Sequence, residues 1–237
     1  VTPMNENNGM ILEEQDGILT LSMNMPGNNL MTADFFKEYE AVMAEIEEKA
    51  AAGKYKGLII KGAGRHFSVG ADVDALADRS ANETYDDSTG VLPEGHIRQK
   101  HFFTFLRELP FPVVSVVTGF CIGSGSEIAV NSHYRIIEKN ARVGQPESTF
   151  GILPALGGVA RTIEICGTQN AYTLVMSGEL ISADDAFALG WADIFADKKQ
   201  GVPEAVSLIE YISANSGDFD PSRYKEYMDS YKSGREA

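Results

Sequence analysis

The most constraining segment of this chain is the passage from Val113 to Val130. A β-branched run, Val113–Thr118 (VVSVVT), leads directly into Gly119-Phe-Cys-Ile-Gly-Ser-Gly125 and then into the apolar stretch SEIAV. A β-branched run of this length is the pattern of a strand. The glycines that follow require a turn, and the next residues have helical character from about Ser126 to Ser132. Strand, glycine turn and helix in that order limit the chain to folds in which a sheet strand feeds a helix N-terminus. Gly123 and Gly125 permit unusual backbone angles and close approach of a ligand to the main chain. The N–H groups of Ser124 and its neighbours then lie where the helix dipole and unpaired donors favour negative charge. An oxyanion hole is built this way, and so is a glycine turn that serves only tight packing. Two other motifs fail on composition. A dinucleotide fingerprint needs a third glycine at position 128, which is Ile128. A hydrolase nucleophile elbow needs a glycine two residues before the serine, and Ile122 and Ser124 occupy those places.

The flanking regions predict a mixed α/β chain. Ile11–Glu14 and Ile18–Asn24 read as strands around the hairpin signal Asp16-Gly17. Thr32 or Asp34 caps a helix whose apolar positions Phe35, Tyr39, Val42, Met43 and Ile46 keep the helical period. Gly57–Lys61 is a short buried strand, and Gly62–Asp72 (GAGRHFSVGAD) a glycine-punctuated loop. Ser80–Gly95 is polar and aperiodic, the composition of a mobile surface loop, and we expect it to act as a lid over a bound ligand. His101–Leu109 reads as helix ended by Pro110 and Pro112, and Tyr134–Glu138 as strand. Helices follow over Gly157–Cys166, Gln169–Ser177, Ala183–Leu189, Val202–Ala214 and Ser222–Tyr231, with a short strand near Asp193–Ala196. No low-complexity linker divides the chain. We expect one domain, with a core over 1–195 and a helical section over 196–237.

Charge and cysteine content exclude several function classes. The net charge is −14 and the pI about 4.7, a field that repels nucleic acid. It also opposes anionic ligands, so any that bind must rely on local cations and backbone N–H groups. No apolar run approaches the roughly 20 residues of a membrane helix. The polar start, Val1–Gly9, lacks the basic-then-apolar order of a secretory signal, so a cytoplasmic location is expected. Cys121 and Cys166 lie in apolar surroundings without a CxxC pair, which reads as two buried free thiols.

Two glutamates stand out. Glu127 opens an apolar helix, and Glu147 sits between Gln145-Pro146 and the apolar Phe150–Pro154; a carboxylate is costly to bury in such places without a task. Brought together by a fold, two carboxylates separate into an ionised base and a protonated acid. Capping or salt bridging is the ordinary alternative for either. His66, in the 62–72 loop, reads as structural. His96, His101 and His133 show no metal-ligand spacing, so no metal site is expected.

Taken together, these segments resemble the crotonase, or enoyl-CoA hydratase/isomerase, superfamily. HFSVGAD (66–72) is similar to the family's F-S-x-G-A-D loop. GFCIGSGSEIAV (119–130) is similar to its G-x-x-x-G-G-G-x-E-L-A segment, and GQPESTFGILPALGG (144–158) to its Q-P-E-x-x-x-G-x-x-P-x-x-G-G segment. SGELISADDAFALGWAD (177–193) resembles the helix and turn before a short strand. The resemblance implies an α/β crotonase-like spiral of strand-strand-helix turns with C-terminal helices, assembled as a homotrimer or a dimer of trimers. It implies an acyl-CoA thioester as substrate and no separate cofactor. Carried over by position, the backbone N–H groups of Ala71 and Ser124 form the oxyanion hole. Glu127 and Glu147 are the acid–base pair, and Val69, Gly70, Asp72, Gly123 and Gly125 line the substrate.

This chain departs from the family pattern in three places. Ser124 replaces the middle glycine of a triplet. The loop Met25-Pro-Gly-Asn-Asn29 lacks the cation that many members place near the CoA phosphates. The last helix is expected to be short or rearranged. Hydration of an enoyl-CoA is the leading expectation. A double-bond isomerase, a hydratase of ring substrates, a C–C hydrolase and a non-catalytic CoA-binding subunit stay open beside it.

Overall fold

A computed structural model describes residues 9–53, 55–73 and 94–236. Strands β1 (Gly9–Gln15) and β2 (Ile18–Asn24) form an antiparallel hairpin in register from Gly9 opposite Asn24 to Gln15 opposite Ile18. Its turn residues Asp16 and Gly17 are both left-handed (φ 53° and 81°), the geometry whose twist matches that of paired strands. β3 (Gly57–Gly62), β4 (Val113–Val117), β6 (Tyr134–Glu138) and β9 (Ile194–Ala196) extend the sheet in the order β1-β2-β3-β4-β6-β9, parallel from β2 onward. A smaller sheet joins β5 (Phe120–Ile122), β7 (Arg142–Gly144) and β8 (Ile181–Ser182). From β4 the chain crosses to β5, returns through helix α3 (Ser124–Asn131) to β6, and crosses again to β7. This repeated passage between two sheets is a spiral of strand-strand-helix turns.

The large sheet is covered on both faces, which is why its strands are apolar throughout. Leu58 and Ile60 face one cluster and Ile59 the other; Val113 and Val117 alternate with Val114 and Val116 in the same way. The first cluster is closed by α1 (Ala33–Ala51) and α2 (Glu94–Thr104) together with α3. Thr32 caps α1, its hydroxyl accepting from Phe35 N at 3.3 Å, and Phe35, Tyr39, Val42, Met43 and Ile46 are buried. The second cluster is closed by α7 (Gly201–Asn215) and α8 (Tyr224–Glu236) through Leu208, Ile209, Ile212, Tyr224 and Met228. Each such side chain removed from water is worth roughly 1.5–3 kcal/mol. Gly57 admits α7 at close range, since a methyl group there would lie 2.8 Å from Ile209. α4 (Gly158–Cys166), α5 (Thr168–Ser177) and α6 (Ala183–Ala188) complete the fold.

Several expected boundaries move. α2 begins at Glu94, not near His101, and continues as a 3-10 turn over Phe105–Glu108. α3 begins at Ser124, two residues early, because Gly123 (φ 55°, ψ −126°) breaks the chain at once. α8 starts at Tyr224 after a 3-10 turn, Pro221–Arg223, that Asp220 caps. Strands β5, β7 and β8 have no counterpart among the elements expected from the sequence. Cys121 is buried, but Cys166 is only half-buried. Of the Ser80–Gly95 segment, residues 80–93 lie outside the described residues, and Glu94 and Gly95 belong to α2.

Candidate active site

Two glycine turns meet at the C-terminal end of β5, one in the loop that follows β3 and one directly after β5 itself. Gly70 is left-handed (φ 85°), and a methyl group on it would lie 2.6 Å from Ile122 O and 3.7 Å from Gly123 Cα. A methyl on Gly125 would lie 2.7 Å from Ser68 Cβ. The loop ending at Asp72 and the N-terminus of α3 therefore touch at backbone distance, which only glycine permits. The residues that follow each turn, Ala71 and Ser124, stand on adjacent segments. Neither backbone N–H has a hydrogen-bond partner among the described residues. Val69, Asp72 and Ser124 are half-buried, whereas Gly70, Gly123 and Gly125 are buried.

α3 buries Glu127, which is 2% exposed. Its Oε1 accepts two backbone N–H groups, Leu156 at 2.8 Å and Gly158 at 2.9 Å. Burial raises its pKa to about 8, with the charge of Glu147 adding to the rise and the two N–H donors and Lys100 opposing it. Glu147 lies in the 3-10 turn Pro146–Phe150. Both of its carboxyl oxygens are buried with no hydrogen-bond partner from another of the described residues, and burial pushes its pKa to about 7 against the opposing effect of its own backbone N–H. One of them would lie 3.3 Å from a methyl placed on Gly123. A buried carboxylate with no donor from another residue carries a desolvation cost that structure alone does not repay. Two buried carboxyl groups in electrostatic contact influence each other's titration, and near neutral pH the pair can hold one proton.

The expected loop residues and both glutamates are thus brought together. The groups that hold them are not legible in the sequence. Leu156 and Gly158 lie some thirty positions from Glu127. Asn131 Nδ2 donates to Glu127 O at 2.8 Å and to Leu156 O at 3.1 Å, tying α3 to the 154–158 turn. Gln145 is 3% exposed; its Oε1 receives Thr162 Oγ1 at 3.4 Å and its Nε2 has no partner. The one sequence signal for them is the pair Gly157-Gly158 at the start of α4. A methyl on Gly158 would lie 2.7 Å from Glu127 Oε1 and 2.8 Å from Gln145 Nε2. His66 is engaged structurally, its Nδ1 accepting from Phe120 N at 2.9 Å and its ring stacked 4.8 Å from that of Phe120. Among the described residues, no three His, Cys, Asp or Glu side chains cluster as metal ligands, and no helix is long and apolar enough to cross a membrane.

The family model described as enoyl-CoA hydratase/isomerase matches residues 13–233. The short-chain-enoyl-CoA hydratase of Clostridium acetobutylicum is 30% identical over 213 residues, which cover 89% of this chain and 77% of that protein. The fatty acid oxidation complex subunit alpha of Shewanella halifaxensis is 32% identical over 203 residues, 84% of this chain but 26% of the subunit. The chain therefore spans about a quarter of the alpha subunits it matches. In fold it is similar to Pseudomonas aeruginosa DspI (TM-score 0.75, 20% identity, 99% of this chain and 84% of that one). It is also similar to a Thermobifida fusca structure in complex with CoA (TM-score 0.75, 21% identity, 96% and 86%).

Proposed function

Because this chain belongs to the enoyl-CoA hydratase/isomerase family, we propose that it adds water across the α,β double bond of an enoyl-CoA thioester. The observation that carries this reading is the buried pair Glu127 and Glu147, both with raised pKa, beside two backbone N–H groups without a partner among the described residues. The thioester oxygen is held by the N–H groups of Ala71 and Ser124. These donors strengthen as negative charge moves onto that oxygen in the enolate, which lowers the barrier. Glu127 takes a proton from water as its oxygen bonds to Cβ, and Glu147 delivers a proton to Cα.

The hydrogen bonds support this division of roles. Part of the rise at Glu127 comes from the charge of Glu147, and that cause disappears whenever Glu147 carries the proton. Burial alone still holds the Glu127 carboxyl up, so in the free site the shared proton rests on Glu127 (about 8 against about 7 for Glu147). The donors from Leu156 and Gly158 offset part of that burial and stabilise the carboxylate a base needs once Glu147 takes the proton. Among the described residues no other group donates to the Glu147 carboxyl oxygens, and burial outweighs its own backbone N–H, which favours the neutral acid. CoA is the handle on the substrate, held without the usual cation in the 25–29 loop.

The test is hydration of crotonyl-CoA, followed as loss of enoyl-thioester absorbance, with Glu127→Gln and Glu147→Gln. Each variant is expected to lower kcat at least about a hundredfold while folding normally. Near-normal turnover in both would refute the two-glutamate mechanism. A large loss at Glu147 alone would move the reaction to double-bond isomerisation, which needs one proton shuttle.

A further inference from the structure

The connection between β2 and α1 is strained. Gly27, Asn28 and Asn29 are consecutive left-handed residues (φ 66°, 63° and 61°); asparagine enters this region more readily than other residues with a side chain, yet still at a cost that glycine avoids. Strain of this kind persists only where surrounding contacts over-determine it, and it gathers at functional sites. Here the contacts all lead to one place. Asn29 is 3% exposed. Its Oδ1 accepts from Met25 N at 2.8 Å, which closes the turn, and its Nδ2 donates to Phe67 O at 2.9 Å. Its carbonyl accepts from Ser68 Oγ at 2.7 Å, and that hydroxyl in turn accepts from Gly70 N at 3.1 Å. Alongside, Val69 N donates to Asn28 O at 3.3 Å and Met31 N to Gly70 O at 2.8 Å.

The bond from Met31 to Gly70 O has a directional consequence. The peptide between Gly70 and Ala71 is planar and trans, so its C=O and N–H point opposite ways. Holding Gly70 O toward the turn aims the Ala71 N–H away from it. Among the described residues that N–H has no partner. Ser68 also packs against Gly125 in the first turn of α3, so one residue references both halves of the two-donor site.

We infer that Asn29 is a positioning residue for the oxyanion hole: its side-chain amide holds Phe67 O and its carbonyl holds Ser68 Oγ, and both act through the 67–70 loop on the direction of the Ala71 N–H. The inference rests on the reading of Ala71 and Ser124 as thioester donors given above. A group that aims a donor at developing charge affects the transition state more than the ground state.

The test uses Asn29→Gly, which keeps the left-handed backbone and removes both side-chain bonds, and Ser68→Ala, which removes only the hydroxyl link. Two readouts are taken on the full chain: kcat and KM for crotonyl-CoA, and the absorbance red-shift of a conjugated aryl-enoyl-CoA on binding, which reports polarisation of its carbonyl. Both variants are expected to lose about 10- to 100-fold in kcat with KM within about threefold of wild type, and to lose part of the red-shift. Wild-type kcat and red-shift in folded variants, even with a lower Tm, would make Asn29 merely structural and overturn the inference. If Asn29→Gly does not fold, Ser68→Ala decides alone by the same two readouts. A wild-type protein that neither hydrates crotonyl-CoA nor shifts the probe would instead sink the functional reading, and this inference with it.

Discussion

The backbone N–H of Gly158 donates to Glu127 Oε1 at 2.9 Å, and Gly158 has no room for a side chain because a methyl group there would lie 2.7 Å from that same oxygen. Donor and steric limit act on one atom, so the start of α4 is shaped around the Glu127 carboxylate. Gly158→Ala must displace either the carboxyl group or the helix. Overpacking of this kind costs about 1–3 kcal/mol, and if Glu127 is the base we propose, displacing it costs more in rate than in stability. We expect kcat for hydration to fall at least about tenfold with a modest decrease in Tm. Unchanged kinetics in a folded variant would mean that this hydrogen bond does not orient the base.

The two carboxyl groups also predict a pH dependence of stability. Both have folded pKa values above their ordinary value of 4.5, about 8 for Glu127 and about 7 for Glu147. A raised carboxyl favours the folded state while protonated in both states, and that stability is lost as the unfolded chain ionises first. Stability is therefore full below about pH 4.5 and declines as the pH rises toward 8, each carboxyl contributing a slope of at most ~1.4 kcal/mol for every pH unit. Glu127→Gln removes its share. Chemical denaturation should find the Gln variant more stable than wild type at pH 8 and equal to it at pH 4.5. Equal stability at both values would mean that Glu127 is not held in its neutral form. The same pair predicts a bell-shaped kcat/KM profile with its maximum between pH 7 and 8.

Much of this site was legible because its chemistry is local. Gly70, Gly123 and Gly125 punctuate short windows, and a glutamate in an apolar helix start or after Gln145-Pro146 is conspicuous within a few residues. The hairpin at Asp16-Gly17 and the periodic face of α1 were legible for the same reason. What was not legible depends on distance in sequence. Strands of two or three residues such as β5, β7 and β8 contain no period to read, and they exist only because the larger sheet supplies the spiral. The donors to Glu127 lie at 156 and 158, and those to the 67–70 loop at 29 and 31. No window joins such positions, and a side-chain amide bonded to a distant carbonyl leaves no composition signal.

His133 gives a second, opposite pH response. It is 1% exposed; its Nδ1 accepts from Val113 N at 3.0 Å, so its Nε2 carries the hydrogen that faces Arg107 O at 3.0 Å. Burial lowers its pKa from 6.5 to about 3. A depressed histidine contributes stability that is present above pH 6.5 and lost as the pH falls toward 3, where the unfolded chain binds the proton first. His133→Ala leaves two buried backbone groups unpaired, at about 1–3 kcal/mol each. Denaturation at pH 7.5 should show that loss, and the gap to wild type should narrow between pH 6.5 and 4.5. A gap that stays constant over this range would mean that His133 is not held neutral.

The final prediction concerns assembly. Phe150, Ile152 and Leu153 follow Glu147 and are 55%, 42% and 55% exposed, and Tyr172, Met176 and Leu180 are 63%, 51% and 43% exposed. The two groups lie on adjoining segments. Ser148 Oγ donates to Met176 O at 3.3 Å, and a methyl on Gly178 would lie 2.6 Å from Thr149 Cγ2. Six large apolar side chains on neighbouring segments are unusual for a monomer surface and are the composition of an interface core. We propose that other copies of this chain cover them in a homotrimer or a dimer of trimers. The location beside Glu147 matters, because a neighbour packed there would close the acid's side of the site and help exclude water. Sedimentation or light scattering of the 25.7 kDa chain should give three or six times the monomer mass at micromolar concentration. Leu153→Asp and Met176→Asp place charge in the covered patch and should each shift the mass toward monomer while the far-ultraviolet circular dichroism stays unchanged. Hydration activity should fall with dissociation and return as protein concentration is raised. A monomeric wild type, or charged variants that keep the assembled mass, would refute this use of the patch.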